Sequence, residues 1–169
     1  MNMRKTVSIS LLIALVPAAA LIVPSANAST TTTGSFNSTI TIQANCQVVS
    51  TNTLNFGTQG VLAANTDATA TFVVQCTNTT AYNVGLDAGT TAGGTVTTRL
   101  MTSGSATVSY EMFSDSGRAT NWGNTVGTDT VSRTGNGSSQ TLTVYGRVPA
   151  QSTPAAATYT DTVTVTVTY

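Results

Sequence analysis

Histidine is absent from this chain, and lysine occurs once, at Lys5. Without histidine, the chain lacks the side chain that most often acts as a general base near neutral pH and most often binds metal ions. Charged residues make up only 7% of the sequence, and the basic ones form no patch interleaved with aromatic residues. This composition argues against nucleic-acid binding.

The six acidic residues stand singly, and Asp87, Asp115 and Asp129 lie in turn-like sequence. No Asp-x-Asp-x-Asp spacing indicates a calcium loop, and the glycines match neither a P-loop nor a dinucleotide-binding motif. A glycosidase would need two carboxylates brought together by the fold, which the sequence leaves open. We therefore expect a non-catalytic protein with no cofactor, no metal ion and no small-molecule substrate.

The first 28 residues have the pattern of a secretory signal peptide. Arg4 and Lys5 form a basic start, residues 7–23 are mostly apolar, and Ala26-Asn27-Ala28 is a small-residue cleavage site. We expect cleavage between Ala28 and Ser29, and hence a secreted protein. An N-terminal membrane anchor is the alternative, against which the prolines of this segment and its Ala-x-Ala end argue. The mature chain would have four arginines, six carboxylates and a net charge of −2.

Cys46 and Cys76 are the only cysteines of the chain. In an oxidising compartment, two cysteines of one domain usually form an intramolecular disulfide, with free or intermolecular thiols as alternatives. The bond would close a loop of about 30 residues and stabilise the fold by roughly 3–4 kcal/mol in the chain-entropy model. Its expected role is structural.

The last twelve residues have the most regular pattern of the chain. Every even position from Thr158 to Thr168 is threonine, whereas the odd positions are tyrosine, aspartate or valine. Because side chains alternate between the faces of a strand, one face would carry hydroxyl groups and the other would be apolar except at Asp161. Such β-branched sequence predicts a strand over residues 158–169. A strand this long and free of lysine and proline needs partners at its edges.

The same alternation recurs elsewhere. It predicts a strand over residues 36–44, where Phe36, Ser38, Ile40, Ile42 and Ala44 share one face. Residues 46–49 and 54–56 are short apolar pieces, and further strands are predicted at residues 69–76, 82–88, 96–101, 107–113 and 141–147. Residues 127–140 read as a long polar loop. No segment of ten or more residues has helical periodicity, so we expect an all-β sandwich.

Several short motifs occur in an order and spacing that resemble the spore coat protein U domain family, which includes the major subunits of archaic, Csu-type chaperone–usher pili. The resemblance extends over residues 29–169. It is carried by Leu54-Asn55-Phe56-Gly57, Val74-Gln75-Cys76-Thr77, residues 82–89, Arg99-Leu100-Met101, residues 110–115, Asn121-Trp122-Gly123, residues 145–151 and residues 159–163.

The resemblance implies an incomplete immunoglobulin-like sandwich whose missing strand leaves a hydrophobic groove beside the C-terminal strand. A periplasmic chaperone would fill this groove first, and the N-terminal strand of the next subunit would then replace it, which is a form of β-augmentation. Residues 29–45 would be the donor strand and residues 46–169 the body. The resemblance further implies a Cys46–Cys76 disulfide, donor side chains Phe36, Ile40 and Ile42, groove residues Val163, Val165 and Val167, and a chaperone contact at Tyr169.

The implied function is that of a structural subunit of an extracellular pilus. It would pass through the periplasm and an outer-membrane usher to the cell surface, polymerise head-to-tail with other copies or sister subunits, and serve attachment and biofilm formation. A secreted spore-coat or matrix protein of the same fold is the main alternative. A third hypothesis is an adhesin that binds glycans through Trp122 and tyrosine loops. A self-complemented monomer, with residues 36–44 folded into its own groove, also remains open.

Overall fold

The computed structural model describes residues 28–169, in which strands are the only regular elements. The predicted signal peptide therefore lies outside the described residues except for Ala28. All strands fall within the compact unit Ile40–Tyr169. In chain order they are β1 (Cys46–Thr51), β2 (Thr66–Cys76), β3 (Ala81–Leu86), β4 (Arg99–Ser103), β5 (Ala106–Phe113), β6 (Val131–Thr134), β7 (Ser139–Val148) and β8 (Val165–Thr168). The prediction of an all-β fold is confirmed.

The strands form two antiparallel sheets that pack as an immunoglobulin-like sandwich. One sheet has five strands in the order β1-β2-β7-β5-β4, and the other has three in the order β6-β3-β8. Alternate residues of β2, β3, β5 and β7 point inward and are buried, as a period of two requires. The core consists of Leu62, Phe72, Val74, Cys76, Tyr82, Val84, Leu86, Val108, Tyr110, Met112, Trp122, Leu142, Val144 and Val148.

The predicted disulfide is present. Cys46 and Cys76 are bonded to each other, and they face each other at one end of the β1–β2 ladder. Because β1 is an edge strand whose residues after Cys46 are exposed, the bond covalently attaches a weakly packed strand to an inner strand of the sheet.

One strand lies where the sequence predicted a loop. Strand β6 falls inside residues 127–140 and pairs with the edge of β3, matching Val131 with Val84. Its other residues, Ser132, Arg133 and Thr134, are all exposed. So little apolar sequence produces no alternation between apolar and polar residues. The strand forms because the edge of β3 is available for pairing.

The two strands predicted near the ends of the body differ most from expectation. Residues 36–44 form no strand, because no ladder partner lies beside them in the described part of the chain. In residues 158–169, only β8 forms a ladder, while Thr160 makes an isolated antiparallel bridge to Thr102. The prediction of one continuous C-terminal strand is therefore wrong. Side-chain hydrogen bonds to its middle, described below, explain the interruption.

Candidate functional site

An open apolar cleft of about 1000 Å³ leads from the surface into the core. One side is residues 51–60, which begin at the last residue of β1, and the other is residues 153–163 together with Val165 of β8. Its lining includes eight core side chains, namely Leu62, Phe72, Leu86, Val108, Tyr110, Met112, Val144 and Val148. Each of these side chains is at most 8% exposed, so the floor of the cleft is formed by buried core residues.

The cleft opens beside a sheet edge. Strand β8 is the last strand of its sheet and pairs only with β3, from Val165 opposite Leu86 to Thr168 opposite Asn83. Its other edge has no ladder partner among residues 28–169. An edge strand presents a row of backbone N–H and C=O groups that can pair with another chain. Free backbone groups and an apolar cleft thus adjoin, which is the arrangement that β-augmentation uses.

The predicted groove residues fall into two groups. Val163 and Val165 line the cleft and are half-buried. Val167 also packs against the core, opposite Val84, but it is not among the residues that line the cleft. Tyr169 lies elsewhere, since 58% of it is exposed and its hydroxyl donates to Asn45 Oδ1 at 3.0 Å. The structure therefore brings two of the four predicted residues together.

The predicted donor side chains are exposed. Phe36 is 91% exposed, Ile40 84% and Ile42 70%, and these are among the most exposed large apolar residues of the described chain. In residues 28–169, the structure therefore does not contain the self-complemented arrangement, in which these side chains would be buried. The three side chains share one face of the segment, so they form an exposed apolar surface suited to contact with a partner.

The first side of the cleft was not predicted. Residues 52–62 have no strand pattern, yet Leu54 and Phe56 are half-buried against the core. Gly146 of β7 makes this possible, because a Cβ added there would lie 2.6 Å from Leu54 Cδ2 and 2.9 Å from Phe56 Cζ. Any side chain at position 146 would push this segment away. The signal in the sequence was a glycine inside a strand, which often marks close approach of another segment.

Asp161 anchors the second side of the cleft. Its carboxylate accepts hydrogen bonds from Tyr110 Oη at 2.7 Å and from the backbone N–H groups of Thr90 and Thr91 at 3.0 and 3.1 Å. Burial raises the pKa of Asp161, but hydrogen bonds from Tyr110 and Thr91 lower it by more, so its pKa lies below the usual value. Gly89 has a positive φ of 83°, and a Cβ there would collide with this carboxylate.

Asp87 provides a second anchor and explains why β8 is short. Its Oδ1 accepts hydrogen bonds from Thr164 N and Gly89 N, both at 2.9 Å, and its own N–H donates to Thr164 O. Burial raises the pKa of Asp87, but these hydrogen bonds outweigh it and the pKa falls below the usual value. A side chain thus takes the N–H that a strand partner would otherwise use, and the ladder ends at Val165.

Arg99 is fully buried and has no carboxylate within salt-bridge distance. Its guanidinium instead donates to four backbone carbonyls, those of Leu86, Asp87, Val96 and Trp122, at 2.7–2.9 Å. Burial lowers the pKa of Arg99. By joining the end of β3 to the loop before β4, this side chain holds the segment that carries Asp87. This role of Arg99 was not predicted from the sequence.

Trp122 cannot serve as a glycan platform. It is only 1% exposed, its Nε1 donates to Val84 O at 2.8 Å, and its ring packs against Phe72 with centroids 5.6 Å apart. Glycan stacking requires an accessible aromatic face, so the hypothesis of an adhesin that binds through Trp122 is wrong. This residue belongs to the core.

Other kinds of site receive no support in the described part of the chain. Between residues 28 and 169, no three histidine, cysteine, aspartate or glutamate residues are grouped so that they could hold a metal ion. No helix in this range is long and apolar enough to cross a bilayer.

Comparison with known proteins agrees with this geometry. The family model of the Spore Coat Protein U domain matches residues 32–166. The chain belongs to the Spore Coat Protein U domain family. Protein U of Myxococcus xanthus is 33% identical to it over 171 aligned positions, which cover 92% of this chain and 95% of Protein U. The cleft is thus a feature of a Spore Coat Protein U domain.

A solved structure is similar to this domain. It is the crystal structure of the CsuC–CsuE chaperone–tip adhesion subunit pre-assembly complex from archaic chaperone–usher Csu pili of Acinetobacter baumannii. The similar chain is 27% identical, with a TM-score of 0.54, and the match covers 76% of this chain. It covers 40% of that chain, so the Spore Coat Protein U domain described here spans about two fifths of its length.

Proposed function

We propose that this protein is a non-catalytic structural subunit of an extracellular pilus, assembled by the chaperone–usher route and polymerised by donor-strand exchange. The observation that carries the proposal is the open cleft into the core beside the free edge of β8. An apolar cleft beside a free strand edge can receive a strand from outside, and residues 36–44 of another copy have the pattern to supply it.

The donor segment fits the cleft chemically. Phe36, Ile40 and Ile42 lie on one face and would enter the apolar cleft, while the backbone of the segment pairs with β8. Burial of each such side chain contributes about 1.5–3 kcal/mol. Ser38 is small, so the pocket that it meets would need little depth. Because donor and acceptor are different surfaces of the same chain, the contact does not close on itself and generates a filament.

Before polymerisation, a periplasmic chaperone would have to cover the cleft, because an open apolar cleft and a free strand edge promote aggregation. The solved structure similar to this chain is itself a chaperone–subunit complex, which supports this partner. The predicted chaperone contacts are Val163, Val165, Val167 and Tyr169. An outer-membrane usher would then carry the subunits to the cell surface, where attachment and biofilm formation are the expected roles.

The proposal is tested by deleting residues 29–43 and co-expressing the chain with a chaperone and an usher. Full-length subunits should form a detergent-resistant ladder of oligomers on gels without boiling, whereas the deletion variant should remain monomeric or chaperone-bound. The matched control is Val126→Asp, which changes an exposed apolar residue in a loop far from residues 29–43 in sequence. An unchanged ladder after the deletion would refute donor-strand exchange.

A secreted coat or matrix protein is the second candidate. It is favoured by the identity with Protein U, which extends over nearly the whole of both chains. Such a protein could use the same cleft to assemble a layer instead of a fibre. Immunogold electron microscopy distinguishes the two, because labelled filaments that depend on the usher support the pilus, and a continuous labelled layer supports the coat.

A further inference from the structure

A set of hydrogen bonds fixes the chain where the apolar donor segment joins the body. Thr77, directly after β2, donates from its backbone N–H to Asn45 O at 2.9 Å. Its hydroxyl donates to Gln43 O at 3.1 Å and accepts from Asn45 N at 3.1 Å. Tyr169 Oη donates to Asn45 Oδ1 at 3.0 Å. We call Gln43, Asn45, Thr77 and Tyr169 the collar.

The collar restricts the movement of the donor side chains relative to the body. Residues 43–46 contain neither glycine nor proline, and the disulfide holds Cys46 at the next position. Ile42 immediately precedes Gln43, and consecutive Cα atoms are about 3.8 Å apart. A cleft that receives the side chain of Ile42 must therefore come within a few ångströms of the collar. A flexible Gly/Ser linker would impose no such approach.

The collar also has a shape and composition suited to contact. Together with Thr41, Ile42 and Ala44, its residues line an open depression of about 630 Å³. The side chains that line this depression are polar or apolar and carry no charge. Over half of Tyr169 is exposed there, and tyrosine combines apolar area with a hydrogen-bonding group at interfaces.

We propose that the collar is a docking surface for a second copy of this chain. The end of the neighbour's cleft would seat against the collar when it takes the donor segment, so that successive subunits join at a fixed angle. The inference rests on the proposed donor-strand exchange and adds to it a rigid contact outside the cleft. The donor segment would give the affinity, and the collar would give the fibre its stiffness.

The test uses full-length subunits carrying Thr77→Val, assembled with chaperone and usher. This change removes the side-chain hydrogen bonds from Thr77 to Gln43 and Asn45 and keeps the Thr77–Asn45 backbone bond and the disulfide. We expect the detergent-resistant ladder to persist, and the persistence length of the fibres in electron micrographs to fall roughly twofold or more, since each lost bond loosens the joint. Thr128→Val, at an exposed threonine outside the collar, is the matched control.

A second variant inserts Gly-Ser-Gly between Ile42 and Gln43, which adds slack without changing either the donor face or the collar. It should soften the fibres similarly, and Thr77→Val should have no further effect in its background. Unchanged persistence length in the Thr77→Val fibres would overturn the collar proposal. If Thr77→Val does not fold, unchanged persistence length after the insertion overturns it instead. Failure of wild-type subunits to form any ladder would instead refute the proposed function.

Discussion

Residues 36–44 and residues 158–169 have the same alternating pattern, but the structure treats them differently. In the first segment, the apolar face is exposed and no ladder forms. In the second, Val163, Val165 and Val167 are half-buried, and β8 pairs with β3. The comparison shows that alternation predicts which backbone can become a strand, whereas an available edge decides whether it does. Among residues 28–169 the first segment pairs with no edge, and the second pairs with one of the two that it needs.

The largest expected effect concerns residues 36–44, the first of the two compared segments. Ile40→Asp would place a carboxylate at a position that the proposed donor-strand exchange buries in the neighbour's cleft, and an unpaired buried charge costs several kcal/mol. The oligomer ladder should disappear, while Thr41→Asp on the opposite face should leave it intact. Native gels of chaperone-released subunits provide the measurement. Equal loss of the ladder in both variants would show that the face of the segment does not matter.

Removal of the disulfide breaks the covalent link between the start of β1 and the end of β2. Replacing both Cys46 and Cys76 with serine should lower the free energy of unfolding by about 2–5 kcal/mol, because the bond restricts the unfolded chain. Chemical denaturation of the chaperone-free subunit measures this loss. The midpoint of wild-type protein treated with a reductant should fall to that of the double serine variant. If reduction leaves the wild-type midpoint unchanged, the bond contributes nothing.

A smaller effect is expected in residues 158–169, the second of the two compared segments. Asp161→Asn removes the charge that holds residues 158–162 against Thr90, Thr91 and Tyr110, and should cost about 1–3 kcal/mol. Amide hydrogen exchange should rise in residues 158–164, next to the cleft.

The control for this change is Asp115→Asn, because Asp115 likewise accepts backbone hydrogen bonds, from Ala119 and Thr120, but does not line the cleft. It should leave exchange in residues 158–164 unchanged. Faster exchange there in both variants would mean that Asp161 has no specific role in this part of the cleft.

The smallest expected effect is a dependence on pH. The pKa values of Asp87 and Asp161 are lower in the folded protein than their usual value of 3.8. Their contribution to stability is therefore complete above about pH 4 and is lost as the pH falls through the folded pKa values. Denaturation midpoints between pH 2 and pH 5 should fall less steeply for Asp161→Asn than for the wild type. Identical slopes would contradict this assignment.

The sequence predicted the parts of the fold that alternate between buried and exposed residues. Strands β2, β3, β5 and β7 were expected near their observed positions because each packs one face on the core. Strand β6 was missed, since only Val131 faces inward and its position depends on the edge of β3. The break in the C-terminal strand depends on the hydrogen bond that Thr164 N donates to Asp87 Oδ1. These two residues are 77 positions apart in the sequence. No local pattern can reveal such a contact.

Only part of the site was predicted, because the rest is formed by contacts between residues that are distant in the sequence. The valines of the C-terminal segment were recognisable from their spacing, and Val163 and Val165 do line the cleft. The opposite side, around Leu54 and Phe56, is irregular chain held by close packing on Gly146. Arg99 could not be assigned either, because its acceptors are backbone carbonyls of three separate segments.

The position of the disulfide has a mechanical consequence. In a head-to-tail fibre, tension would enter each body at residue 45, where the donor segment ends. Cys46 comes next, and its covalent bond to Cys76 passes the load directly to β2, an inner strand of the five-stranded sheet. Strand β1 is thereby bypassed and cannot be unzipped from that end. At this end, each body would bear force through a covalent bond and the β2–β7 ladder, before β1 is pulled.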